Sequence, residues 1–175
     1  MDELWKLVIN EERKDYGCYK ILRDLVENNP DFRKKLQEGI AQGKIYGFNE
    51  DVWEKIALQN IRNIDSFETV FKKGYNLGNC TPASKQLSYS FRDVEICGGV
   101  VDYLIGTQNS PDGSHTWMVS GGEIYDTTLM LVIDETYAKK SFTYDEQNRV
   151  DPTRSPIYCA TREFTNDPEL RPKNR

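Results

Sequence analysis

The sequence predicts an α+β domain in which several N-terminal helices precede one further helix packed on a small antiparallel β-sheet. Two changes of pattern carry that prediction. Up to Gly74, apolar residues recur mostly at three-to-four spacing, the period of an amphipathic helix. Beyond it the chain turns β-branched, and Gly121-Gly122 separates two short runs in the manner of a hairpin. Residues 1–74 are therefore expected to form a helical part, 75–166 an α+β core and 167–175 a polar tail. The length of 175 residues suits one domain overall.

Each element has its own local reason. Trp5, Val8, Ile9, Tyr16, Tyr19, Leu22, Leu25 and Val26 mark helix from Glu3 to about Glu27, with Gly17 a candidate break. Asn29-Pro30 looks like an N-cap followed by proline at the first helical position, and Phe32, Leu36 and Ile40 continue one face up to Gly43. A further helix is expected from Asn49, and Asp65-Ser-Phe-Glu68 resembles a capping box ahead of a short one. Asn79 to Phe91 reads as helix, with Ala83, Leu87 and Phe91 on one face. Val94 to Thr107 suits a buried strand in which Gly98 and Gly99 mark a bulge. His115 to Thr128 is the hairpin, and Leu129 to Ile133 fits either a core strand or the start of a helix. From Lys139 onward the chain is polar, with one late strand expected within Arg154 to Thr161.

Composition narrows the function classes. A chain of this length buries about 70% of its unfolded surface and needs no disulfide or metal to fold. The net charge of −5 argues against nucleic acid, whose phosphates attract basic surfaces. Arg33-Lys-Lys35 and Arg171-Pro-Lys-Asn-Arg175 read as solvated faces balanced by nearby acids. The longest clean apolar run, Leu129 to Ile133, is too short to span a bilayer, so no membrane role is expected. The start, Met-Asp-Glu-Leu-Trp-Lys, lacks the features of a secretory signal, which makes the location cytoplasmic by expectation and the four cysteines thiols. Cys18, Cys97 and Cys159 lie among apolar neighbours and read as structural; there is no CxxC. Asp112-Gly113 reads as a turn, since the other calcium-ligand positions are missing.

Cys80 stands apart because it sits at a helix start. If Asn79 caps, Cys80 is the first helical residue; if Thr81 caps, with Pro82 next, Cys80 lies just outside. Either way the thiol is near unpaired backbone N–H groups and the positive end of the helix dipole, which favours the thiolate. The same groups can stabilise an oxyanion. His115 is the only histidine in the chain, so any thiol–imidazole chemistry must use it. A two-residue Gly121-Gly122 loop pairs Ser120 with Glu123 and Trp117 with Asp126, so His115, Trp117, Val119, Ile124 and Asp126 share a face. His115 and Asp126 become diagonal neighbours; a three-residue loop would separate them onto opposite faces.

A cysteine at a helix start, then a strand, then a histidine strand and an aspartate strand resembles the transglutaminase-like branch of the papain-like cysteine-enzyme superfamily. His115-Thr-Trp117 is also similar to that group's His-x-Trp pattern. The resemblance covers roughly Tyr75 to Ile133. It implies a Cys80 nucleophile, His115 as general base and acid, and Asp126 as the group that orients it. Asn76, Asn79 and Gln86 are candidate oxyanion donors, and Trp117 is either core packing or a wall of the site. The chain departs from the pattern beside the nucleophile, where Asn79 precedes Cys80 and Thr81-Pro82 follows in place of the usual aromatic. The activity implied is a hydrolase or acyl/amide transferase working on an amide or thioester carbonyl of a protein, peptide or small substrate, with no cofactor and no metal. Two other classes compete: a non-catalytic interaction protein keeping the same fold, and an enzyme built on Glu95, Asp102, Glu123 and Asp134.

Overall fold

The helical period sorts the apolar residues of the first helices onto faces that are buried in the core. The structure is a computed structural model; it describes residues 3–9, 15–48, 73, 74, 77, 80–88, 93–108 and 110–150. Helix α1 (Glu3–Val8) buries Leu4 and Val8. A 3₁₀ turn at Gly17–Tyr19 leads into α2 (Lys20–Asn28), which buries Leu22 and Val26. Helix α3 (Pro30–Ala41) starts as the sequence predicts: the Asn29 side chain accepts from the Phe32 N–H at 3.0 Å and Pro30 stands at the first position. Phe32 and Leu36, one turn apart, point into the core.

The first segment is not wholly helical. Ile45–Gly47 forms strand β1, which pairs antiparallel with a strand nearly ninety residues later, Ile45 opposite Ile133. Three residues of alternating burial carry no period that a sequence reading can separate from a loop. After α4 (Cys80–Ser88) come β2 (Glu95–Val100), β3 (Ser114–Ser120), β4 (Glu123–Asp126), β5 (Leu131–Asp134), α5 (Glu135–Phe142) and β6 (Asp145–Val150). They form a six-stranded sheet in the order β1-β5-β4-β3-β2-β6, antiparallel at every pairing.

Two expectations are corrected. The strand expected over Val94 to Thr107 ends at Val100, and Asp102–Leu104 turns into a 3₁₀ helix. The Val101 N–H bonds to Gly113 O as the last rung of the β2–β3 pairing, and the chain turns inward only after it, so Tyr103 and Leu104 are buried by a turn rather than by a strand. The polar stretch after Lys139 continues α5 and then forms β6. Asp134 starts α5 by accepting the Tyr137 N–H at 2.9 Å, and Arg149 joins Glu95, Glu135 and Glu146, so these elements are ordered through their polar groups. The ambiguous Leu129 to Ile133 segment resolves as the turn into β5. The helix expected from Asn49, the Asp65–Glu68 box, the late strand and the tail all lie outside the described residues.

Helix α4 lies against β3 through a buried pair of hydroxyls, Thr81 and Thr116, 2.7 Å apart, and through the Ser84 hydroxyl donating to Thr116 O. Next to His115 lies an aromatic group. Trp117 meets Tyr144 edge-on at 5.0 Å, and Phe32 of α3 meets Tyr103 at 6.0 Å and Phe142 at 5.4 Å. The N-terminal helices therefore bear directly on the neighbours of His115. Cys18 and Cys97 are fully buried and packed in the core. Among the described residues no helix is long and apolar enough to cross a membrane.

The Gly98-Gly99 pair does mark a bulge, and the extra residue is on the partner strand. The register of β2 with β6 shifts there, from Gly98 opposite Asn148 to Gly99 opposite Glu146. A Cβ at Gly99 would stand 2.0 Å from Asp145 O. Gly99→Ala is expected to destabilise the protein by about 1–3 kcal/mol because rigid backbone must move. Urea unfolding checks this, and an unchanged midpoint would show that β6 does not need the close approach.

Candidate functional site

The hairpin turn sets the site's geometry. Gly121 and Gly122 both have positive φ, 58° and 75°, as a two-residue turn of the kind favoured between twisted strands requires. Val119 therefore faces Ile124 and Ser120 faces Glu123. His115 and Asp126 share a face, and His115 Nε2 lies 3.0 Å from Asp126 Oδ2. The diagonal pairing that the sequence predicts from a two-residue loop is present.

Asp126 is fully buried and, among the described residues, accepts five hydrogen bonds. Oδ1 takes the backbone N–H groups of Thr128 at 2.9 Å and Leu129 at 3.1 Å, closing the turn into β5. Oδ2 takes His115 Nε2–H, the Tyr103 hydroxyl at 2.5 Å and the Tyr144 hydroxyl at 2.6 Å. Burial pushes the Asp126 carboxyl up; the His115 charge and these donors pull harder and leave it below the ordinary range. Burial and the Asp126 charge raise both tyrosines well above a normal phenol, so both remain O–H donors.

His115 is almost fully buried. Burial alone would lower its pKa, but Asp126 and Cys80 raise it to about 10. Nε2 is committed to Asp126 and Tyr103, which leaves Nδ1 for Cys80. Cys80 is the first residue of α4 and only partly buried. Burial raises its thiol pKa; the hydrogen bond and charge of His115, with the Thr116 N–H and hydroxyl, bring it below the ordinary value. Cys80, His115 and Asp126 thus form one line of interacting side chains that runs from a partly buried cysteine to a fully buried carboxylate.

The other candidates are placed differently. Asn76 and Asn79 lie outside the described residues. Gln86 is in the last turns of α4, well along the helix from Cys80. Trp117 is fully buried with its ring 6.1 Å from the imidazole, so it packs behind His115 and presents no open surface. Of the acidic residues that suggested another chemistry, Glu123 and Asp134 stand opposite each other on β4 and β5, away from Cys80 and His115, and each has its own partner. Glu95 pairs with Arg149, Asp134 caps α5, and Glu123 interacts with Tyr46 and Tyr125. Asp112 accepts the Ser114 N–H at 3.0 Å within its turn, as expected. Tyr103 and Tyr144 are the site residues that sequence reasoning missed. No family model matches the chain, and no curated protein or solved structure matches it either.

Two linked stability terms follow. The Asp126 carboxyl is lowered from 3.8, so its contribution is present above that value and is lost as pH falls through the folded pKa. His115 is raised from 6.5 to about 10, so its contribution is complete below 6.5 and is lost as pH rises through about 10. Asp126→Asn is expected to cost about 3 kcal/mol at neutral pH and to flatten both slopes. Thermal melts of the two proteins across pH check this; coincident curves would mean that the pair contributes nothing to folding.

Proposed function

We propose that this chain is a thiol-dependent enzyme that attacks an amide or thioester carbonyl through Cys80, His115 and Asp126. The observation that carries the reading is the line of these three interacting residues, in which His115 is hydrogen-bonded to Asp126 and acts on Cys80, a partly buried cysteine at the start of a nine-residue helix. The reading extends the resemblance to transglutaminase-like and papain-like enzymes from motif order to a reaction.

In this mechanism His115 holds the proton of Cys80, and the thiolate attacks the carbonyl carbon. A C–S bond forms and the carbonyl electrons move to oxygen. The first N–H groups of α4 are the nearest donors that a helix start offers such an oxyanion. His115 returns its proton from Nδ1 to the leaving amine or thiol as the oxyanion collapses, which leaves an acyl-enzyme. Water, or an amine in the transferase case, then attacks the acyl carbon, gives its proton to His115 and releases Cys80. Asp126 stays ionised throughout and holds the ring by Nε2. The chemistry draws only on side chains and backbone of this chain.

Intact-mass spectrometry with electrophilic acyl and amide probes tests this. The folded wild type is expected to gain one adduct, on Cys80. Cys80→Ser should gain none, and His115→Ala should react roughly 10²–10⁴ times more slowly. No adduct on Cys80 in the folded protein, or one that forms equally fast in His115→Ala, would remove the thiol enzyme from consideration and leave a binding role for the fold.

A further inference from the structure

Two tyrosines far apart in the sequence converge on one oxygen atom. Tyr103 arrives from the 3₁₀ turn at Asp102–Leu104 and Tyr144 from the link between α5 and β6. Both hydroxyls donate to Asp126 Oδ2. The second link carries backbone strain: Thr143 and Tyr144 have φ of 74° and 41°, a region that residues with a Cβ rarely adopt. The Tyr144 ring is pinned edge-on against Trp117, and its hydroxyl bond to Asp126 is what the strained turn delivers.

Tyr103 also sits 3.1 Å from His115 Nε2. Its proton goes to Asp126, so its oxygen can only accept from the imidazole. Asp126 Oδ2 and the Tyr103 oxygen therefore bracket one proton, the one on Nε2. This arrangement admits only a ring protonated at Nε2; in its neutral form the Nδ1 lone pair then faces Cys80. The two tyrosines also divide the charge of Asp126. A carboxylate serving the imidazole alone would hold imidazolium more tightly and make its proton harder to return to a leaving group.

We propose that Tyr103 and Tyr144 are positioning residues that fix His115 in its Nε2–H form and, by sharing the charge of Asp126, keep its proton transferable. The proposal rests on the reading of Cys80 and His115 as the working pair. Among the described residues, the titratable groups that act on the imidazole are Asp126 from β4, Cys80 from α4 and Tyr103 from the 3₁₀ turn; Tyr144, from the strained link, acts on it through Asp126, and Asp102 acts on Tyr144.

The single histidine makes the test direct, because its ¹⁵N signals in a full-length labelled sample need no assignment. Tyr144→Phe removes one donor from Asp126 and leaves the contacts of Nε2 in place. Its imidazolium is expected to persist to higher pH, by about half a unit or more. The lower, thiol limb of the pH profile for Cys80 alkylation should stay where it is in the wild type. Tyr103→Phe should raise the same titration and also admit the Nδ1–H form. Thermal melts identify any variant that fails to fold. If both fail, the neutral imidazole of the wild type decides: the Nε2–H form supports the proposal and the Nδ1–H form overturns it. An unchanged His115 titration in either folded variant overturns it as well. Failure of wild-type Cys80 to alkylate would sink the enzyme reading instead, and the histidine titration tells the two failures apart.

Discussion

A carboxylate with no access to water organises this structure. Asp126 would be costly to bury alone, because desolvation of an unpaired charge far exceeds what a small domain can offset. Here five donors from β3, the turn into β5 and two separate links surround it. Each element that supplies a donor is held in place in return. The turn after β4 is closed by Oδ1, the 3₁₀ segment is held by Tyr103, and the strained entry to β6 by Tyr144. The imidazole is thus oriented by the same charge that ties the sheet's connections together.

Burial along the three residues is graded, and the grade sets their chemistry. Asp126 is fully enclosed, His115 nearly so, and Cys80 is partly open. A low-dielectric surround strengthens the His115–Asp126 attraction, so the imidazole holds a proton more tightly than it would in water. That positive charge in turn favours the thiolate at the partly buried end, where the N–H and hydroxyl of Thr116 add further donors. The N-terminal helices enter through Phe32, whose ring packs on Tyr103 and Phe142. They are part of the wall that keeps the carboxylate dry.

What could be read from the sequence was local. Gly121-Gly122 specifies a two-residue turn, and the two-residue period of a strand then carries His115 and Asp126 to one face without further information. Asn29-Pro30 announces a helix start, and the Gly98-Gly99 pair announces a close backbone approach. Tyr103 and Tyr144 were not legible, because their importance comes from where their hydroxyls end, not from any pattern around them. Tyr103 sits in a β-branched run and looks like a strand residue. Tyr144 follows a polar stretch and depends on a backbone conformation that propensity disfavours. Strand β1 was missed for a related reason: three residues whose partner lies nearly ninety positions away leave no periodic trace.

The ultraviolet absorbance of the Cys80 thiolate, followed as a function of pH in the folded wild type and in Cys80→Ser, measures the charge at the open end of the line. Held by His115 and Asp126, the thiolate of the wild type should form at a lower pH than that of a free cysteine, and its signal should be missing from Cys80→Ser. A thiolate that appears only near pH 8.5, as for a free cysteine, would contradict the coupling of Cys80 to the buried carboxylate.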